Sequence, residues 1–157
     1  MEVREHTISL VVNNKPDVLA RIAGTFSGRG YNIESISANV TLDPKVTKIN
    51  IVTVGNSATV VQIEKQLRKL VDVIDASHVK SKSSVRREMV IARVEADKGE
   101  QGGIIKAVEE FGCRVLKKGS EYFILEMTGG KEEIDQALTY LATIGMKSMS
   151  RSGRMVL

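Results

Sequence analysis

The chain has 157 residues, 42% of them hydrophobic and 27% charged, with a net charge of +4. That size and composition suit one ordinary domain or two small ones in water, and a pair of small domains gains from pairing with a second copy. No run of eighteen apolar residues exists to cross a membrane, and Met1–His6 has no apolar signal core. Cys113 is a lone cysteine, which excludes an internal disulfide and fits a reducing, cytoplasmic setting.

Ile8, Leu10 and Val12 alternate with polar neighbours, which predicts a half-buried strand. Pro16 follows and suits the first turn of a helix. Val18, Leu19, Ile22, Ala23 and Phe26 then recur at helical spacing. Gly28 and Gly30 stop this helix, Gly30 in the left-handed cap position. Ile36, Ala38, Val40 and Leu42 alternate as a second strand, Asp43-Pro44-Lys45 turns, and Ile49, Ile51 and Val54 lie in a third. Ser57 is a candidate cap for a helix striped by Val60, Ile63, Leu67 and Leu70. Residues 71–79 make a last strand.

A polar, serine-rich stretch over Lys80–Arg87 reads as a linker. It is also the densest basic cluster, but no aromatic residue interleaves with its charges as a single-strand nucleic-acid binder requires. Residues 1–80 carry ten basic and eight acidic side chains, and residues 81–157 carry thirteen and eleven. No charge asymmetry therefore points to nucleic acid. Beyond the linker the same order returns: a strand over Met89–Val94, and a helix striped by Ile104, Ile105, Val108 and Phe111. A hairpin of Cys113–Leu116 with Tyr122–Met127 follows, then a helix carrying Ile134, Ala137, Leu138 and Leu141, and a strand from Met146. The order βαββαβ occurs twice. The fold class is α+β, with two ferredoxin-like units whose helices cover one face of an antiparallel sheet. The domains are read as 1–80, a linker at 81–87, and 88–157.

Catalytic constellations are missing from this pattern. His6 and His78 have no cysteine or second histidine near them in sequence, so no metal site is read. Cys113 sits in an apolar context with no partner base and reads as a core residue. The glycines Gly24, Gly28 and Gly30 close a helix instead of opening one, so they form no dinucleotide fingerprint. No residue is assigned a catalytic role.

One site remains. The turn from the first strand into the first helix exposes unpaired N–H groups, those of Asp17 and Val18 among them, at the positive end of the helix dipole. Such an end suits a small carboxylate. Asn14 can cap the helix or reach a ligand with its amide, and Asn32 can lie close to the same turn. Val18, Leu19 and Ile33 can supply a small apolar wall, which points to an amino acid with a short aliphatic side chain.

The run Asn14-Lys15-Pro16-Asp17-Val18-Leu19, the segment Phe26-Ser27-Gly28-Arg29-Gly30-Tyr31-Asn32-Ile33-Glu34-Ser35-Ile36, and the stretch Val61–Val73 resemble the small regulatory subunits of acetohydroxyacid synthase (acetolactate synthase). Arg87-Glu88-Met89 and Arg151-Ser152-Gly153 match further motifs of that family. The resemblance implies an N-terminal ACT domain that binds an amino acid at a homodimer interface, and a C-terminal ferredoxin-like domain. It implies a chain without catalysis of its own that activates a large catalytic subunit and makes it sensitive to valine or a related branched-chain amino acid. Thiamine diphosphate, Mg and FAD are expected on that large subunit and no cofactor on this chain. The effector site so implied comprises Asn14, Lys15, Pro16, Asp17, Val18 and Leu19, with Asn32 and Ile33 from a partner protomer. The alternative is a free-standing ACT-type amino-acid sensor acting on another partner. This chain departs from the family at Asp17, where glycine is usual, at Gly112, where arginine tends to follow the phenylalanine, and in its short tail after Gly153.

Overall fold

The computed structural model describes residues 3–80, 84–96 and 101–157. Ser81–Ser83 of the linker therefore lie outside the described residues. Contacts divide the chain into two units, Met1–Val85 with Arg154–Leu157, and Arg86–Gly153. The last four residues thus group with the first unit.

The first unit runs β1 (Arg4–Asn13), α1 (Val18–Ser27), β2 (Ser35–Val40), β3 (Val46–Gly55), α2 (Ser57–Leu67) and β4 (Val73–His78). Its sheet has the order β2-β3-β1-β4, with antiparallel pairing throughout. This is the βαββαβ order read from the sequence. Ile8, Leu10, Val12, Ile49 and Ile51 point from the sheet into a core closed by Val18, Ile22 and Phe26 of α1 and by Val60, Ile63 and Leu67 of α2. Gly30 takes φ +69°, the left-handed conformation expected of the residue that ends the helix.

Several local expectations shift by a residue or two. Asn56, not Ser57, caps α2, its Oδ1 accepting the Thr59 N–H at 2.9 Å. Pro16 lies ahead of α1, whose cap is Asp17. β2 ends at Val40, and Leu42 is fully exposed in the turn. Ile36, Ala38 and Val40 are exposed as well, because β2 is an edge strand and the helices cover the centre of the sheet. β4 starts at Val73, so Val71 and Asp72 belong to the loop before it.

His6 is buried in this unit. Its Nε2 lies 3.1 Å from the Gly55 carbonyl oxygen and its Nδ1 lies 3.0 Å from His78 Nε2. The carbonyl can only accept, so His6 carries its proton on Nε2 and its Nδ1 accepts from His78. Burial, with a smaller contribution from the Arg4 charge, holds the His6 pKa below the ordinary value despite the opposing Gly55 bond. The folded state therefore resists protonation that the unfolded chain accepts. The stabilisation is complete above about pH 6.5 and is lost as pH falls through the lowered folded value. The urea midpoint is expected to fall between pH 7.5 and 5.5, and His6→Gln to flatten that dependence. An equal slope in the variant would place the titration elsewhere.

The second unit runs β5 (Arg86–Glu95), α3 (Gln101–Phe111), β6 (Arg114–Lys118), β7 (Tyr122–Gly129), α4 (Lys131–Thr143) and β8 (Met146–Arg151). Its strands follow the same order, β6-β7-β5-β8. Val90, Ala92, Val94, Phe123, Leu125 and Met127 face Ile104, Ala107, Ile134, Ala137 and Leu141 of the helices. The α3 stripe is Ile104, Ala107 and Phe111, whereas Ile105 and Val108 are exposed. These two occupy the adjacent face, since a spacing of three and then four residues returns to one side of a helix. Cys113 is buried in this core as expected, and burial pushes its thiol pKa up. The chain closes with a two-residue strand, β9 (Met155–Val156). Arg154, buried in the first unit, donates to Thr7 Oγ1 at 3.1 Å and Glu5 Oε2 at 3.0 Å.

Candidate functional site

The turn between β1 and α1 is held from two sides. Because β1 pairs with both β3 and β4, its C-terminal end lies beside the β2–β3 turn and beside the loop entering β4. On the hairpin side, the Asn14 N–H donates to the Lys45 carbonyl at 2.7 Å, and Asn14 Nδ2 donates to the Pro44 carbonyl at 2.9 Å. On the other side, the Asn13 N–H donates to the Asp72 carbonyl at 2.8 Å. Asp72 Oδ1 accepts from Lys15 Nζ at 2.7 Å and from Asn13 Nδ2 at 3.2 Å. These two bonds, that of Lys15 foremost, hold the Asp72 carboxyl below the usual carboxylate range.

Asn14 thus does not cap the helix. Its amide nitrogen is committed to Pro44, which leaves Oδ1 as an acceptor facing away from that bond. No side chain caps α1 either. The Val18 N–H has only a long approach, 3.4 Å, to the Lys15 carbonyl. The N–H groups of the first turn of α1 therefore have no side-chain partner, at the end where the helix dipole is positive. An acceptor for an ammonium and donors for a carboxylate stand on one short turn.

The other predicted residues are distributed as follows. Pro16 and Lys15 are exposed on the turn. Asp17 has φ −93°, which any residue adopts, and its carboxylate pairs with Arg21 at 2.5 Å along the outside of α1. Val18 is in the core, so only its backbone can meet a ligand, whereas Leu19 is 44% exposed and can form a wall. Asn32 and Ile33 are not near this turn within one chain, contrary to the direct reading of the residues. The carbonyl of Asn32 accepts from Thr53 Oγ1 at 2.6 Å, and Thr53 pairs with His6. The turn follows Asn13, which pairs with Val46. Those two rungs lie seven residues apart on β3, so Asn14 and Asn32 sit at opposite ends of the sheet, roughly 20 Å apart. Asn32 Nδ2 donates to Glu34 Oε1 at 2.7 Å, and Ile33 is partly buried against the core.

Sequence reasoning missed Asn13, Asp72 and the Pro44–Lys45 carbonyls. A signal for Asp72 was present: in a ferredoxin-like unit the last strand runs antiparallel to the first, so the residue before β4 must meet the residues that end β1. Among the described residues, no group of three His, Cys, Asp or Glu side chains could hold a metal ion. No helix among them is long and apolar enough to cross a membrane.

A βαββαβ unit with an open helix start, followed by a second unit of the same order, makes this a chain of two ferredoxin-like units with an ACT-like pattern. Comparison with known proteins narrows this. Residues 8–75 match the family model described as the AHAS small subunit-like ACT domain, and residues 87–157 match that of the small subunit of acetolactate synthase. The chain is similar to a probable acetolactate synthase small subunit of Archaeoglobus fulgidus, 35% identical over 98% of this chain and 96% of that one. It is equally similar, at 35% over 98% and 91%, to an acetolactate synthase small subunit of Mycobacterium bovis. The crystal structure of the acetolactate synthase small subunit from Thermotoga maritima matches with a TM-score of 0.89 and 31% identity, over 98% of this chain and 96% of that chain. The chain belongs to the acetolactate synthase small subunit family, and that membership implies a partner catalytic subunit.

Proposed function

We propose that this chain is the non-catalytic regulatory subunit of an acetolactate synthase, working as a cytoplasmic homodimer that activates the large catalytic subunit and carries a branched-chain amino acid site. The thiamine diphosphate, Mg and FAD of the reaction belong on the large subunit. The observation that carries the effector reading is the uncapped start of α1 beside an Asn14 amide whose orientation Pro44 fixes. The ligand carboxylate would meet the first-turn N–H groups, its ammonium Asn14 Oδ1, and its side chain Leu19. Asn32 and Ile33 would come from the partner protomer, since one chain keeps them at the far end of its sheet. The exposed apolar edge formed by Ile36, Val40 and Leu42 supports pairing with a second copy.

Asp17 sets the strength of binding in this reading. Its carboxylate stands at the helix start, where it opposes a ligand carboxylate, and Arg21 draws off only part of that charge because both side chains are about half exposed. Two like charges about 4 Å apart in water repel by about 1 kcal/mol. Asp17→Gly is therefore expected to bind L-valine about fivefold more tightly than wild type in isothermal titration. Equal affinities would remove Asp17 from the account. Addition of the chain to its large subunit is expected to raise acetolactate formation, with weak inhibition by L-valine. A chain that binds L-valine yet leaves the synthase rate unchanged would instead be a free-standing sensor.

A further inference from the structure

We infer that Asp72 is the positioning residue of the effector turn: by holding Asn13 and Lys15 it presents Asn14 and the first amides of α1 to a ligand as one fixed set. The inference rests on the effector reading above and names a residue outside the site so far assigned to it.

Residues 13, 14 and 15 alternate in what they grip. Asn14 is tied twice to the hairpin, through its N–H and its side chain. Asn13 and Lys15 are tied to Asp72, the first by backbone and side chain and the second by its ammonium. The turn is therefore clamped between two loops that are distant in sequence. The two sides of the clamp differ in kind. The hairpin side uses backbone carbonyls, which no substitution removes. On the Asp72 side the Asn13 N–H also meets a backbone carbonyl, but both side-chain bonds, from Asn13 and Lys15, converge on one carboxylate oxygen.

Burial supports the assignment. Asp72 is 6% exposed, so its carboxylate has little access to water and depends on its two donors. Lys15 is the opposite, with 57% of its side chain exposed. Without Asp72 its long stem would move freely, because holding such a chain in one rotamer costs entropy that only a specific partner offsets. The bond from Lys15 is short and charge-assisted, the kind that fixes geometry as well as lowering energy. Pairing also matters for charge. Lys15 stands next to the helix start, and an unpaired ammonium there would draw a ligand carboxylate away from the N–H groups. Held by Asp72, it leaves the carboxylate to the backbone donors, where the apolar wall of Leu19 lies.

The test is Asp72→Asn in the full-length chain, which keeps the size and one acceptor oxygen while removing the charge. L-Valine affinity by isothermal titration is expected to fall roughly tenfold, the size of one hydrogen bond to a charged group. Amide hydrogen exchange at residues 13–19 is expected to quicken in the absence of any ligand, while exchange in β3 and α2 stays as in wild type. Lys15→Met is expected to give a similar loss, and the double variant no more than either single one, because both act through the same bond. Unchanged or tighter L-valine binding with unchanged exchange at 13–19 would overturn the assignment, as would losses that add in the double variant. If wild type binds no L-valine, the effector reading fails on its own. The exchange data then decide the clamp, quickened exchange upholding it and unchanged exchange overturning it.

Discussion

Phe26→Ala is expected to destabilise the first unit by about 3–5 kcal/mol. Phe26 is 1% exposed and sits in the last turn of α1, packed into the core beside Ile22 and the sheet. Truncating a buried aromatic side chain loses its transfer free energy and leaves a cavity that a two-layer unit fills poorly. The consequence for function is specific. The proposed effector turn begins where α1 begins, and α1 is only ten residues long. A helix that short depends on tertiary packing for its order, since in isolation it is below the length that is stable in water. Loosening its C-terminal end should therefore disorder its N-terminal amides as well. Urea unfolding followed by circular dichroism reads the first effect, and L-valine titration reads the second. A midpoint within the error of wild type would mean that α1 is not anchored through Phe26.

Arg151→Leu is expected to cost the second unit about 3 kcal/mol. Arg151, in β8, donates from Nε and Nη2 to Glu88 Oε2 at 2.5 Å and from Nη1 to Asp135 Oδ1 at 2.8 Å. Asp135 also takes Lys131 Nζ at 2.8 Å, and the Lys131 and Arg151 bonds hold its carboxyl below the usual carboxylate range. Glu88 is the sensitive member, because only 6% of its side chain reaches solvent. Removing the guanidinium takes away two charge-assisted bonds to this nearly buried carboxylate, which costs more than losing an exposed pair would. Adding Glu88→Gln should recover part of the loss. A double variant as unstable as the single one would show that packing of the arginine stem, not charge, holds β8. The acid side of the pH profile provides a separate check. The unfolded carboxyls of Asp72 and Asp135 titrate near pH 4, and their folded values lie lower, so this contribution is complete above about pH 4 and disappears as pH falls further. The His6 effect already sets in as pH falls below about 6.5, and comparison with His6→Gln separates it from the carboxylates in one titration.

The repeated element order was legible because alternation and helical spacing are local properties. Ile8, Leu10 and Val12 announce a strand whatever lies around them, and Gly30 announces the end of a helix because its left-handed backbone disfavours other residues. Which apolar residues are covered was less legible. Ile36, Ala38 and Val40 have the same alternation as β1, but their exposure follows from β2 being at the edge of the sheet. Ile105 and Val108 likewise looked interior, and only the side of α3 that meets the sheet separates them from Ile104 and Ala107.

The turn at Asn14–Leu19 shows the same division at the level of the site. Its residue types, its place at a helix start and its family motif follow from the order of the amino acids alone, and so did the family to which the chain belongs. Tertiary structure alone decided that Asn14 grips Pro44 and so faces its oxygen outward, that Val18 is core while Leu19 is open, and that Asp72 holds Lys15. It also decided that Asn32 lies at the other end of the same sheet. The reason is physical: a turn's chemistry is set by the side chains it carries, but the direction in which they point is set by strands paired across thirty to sixty residues.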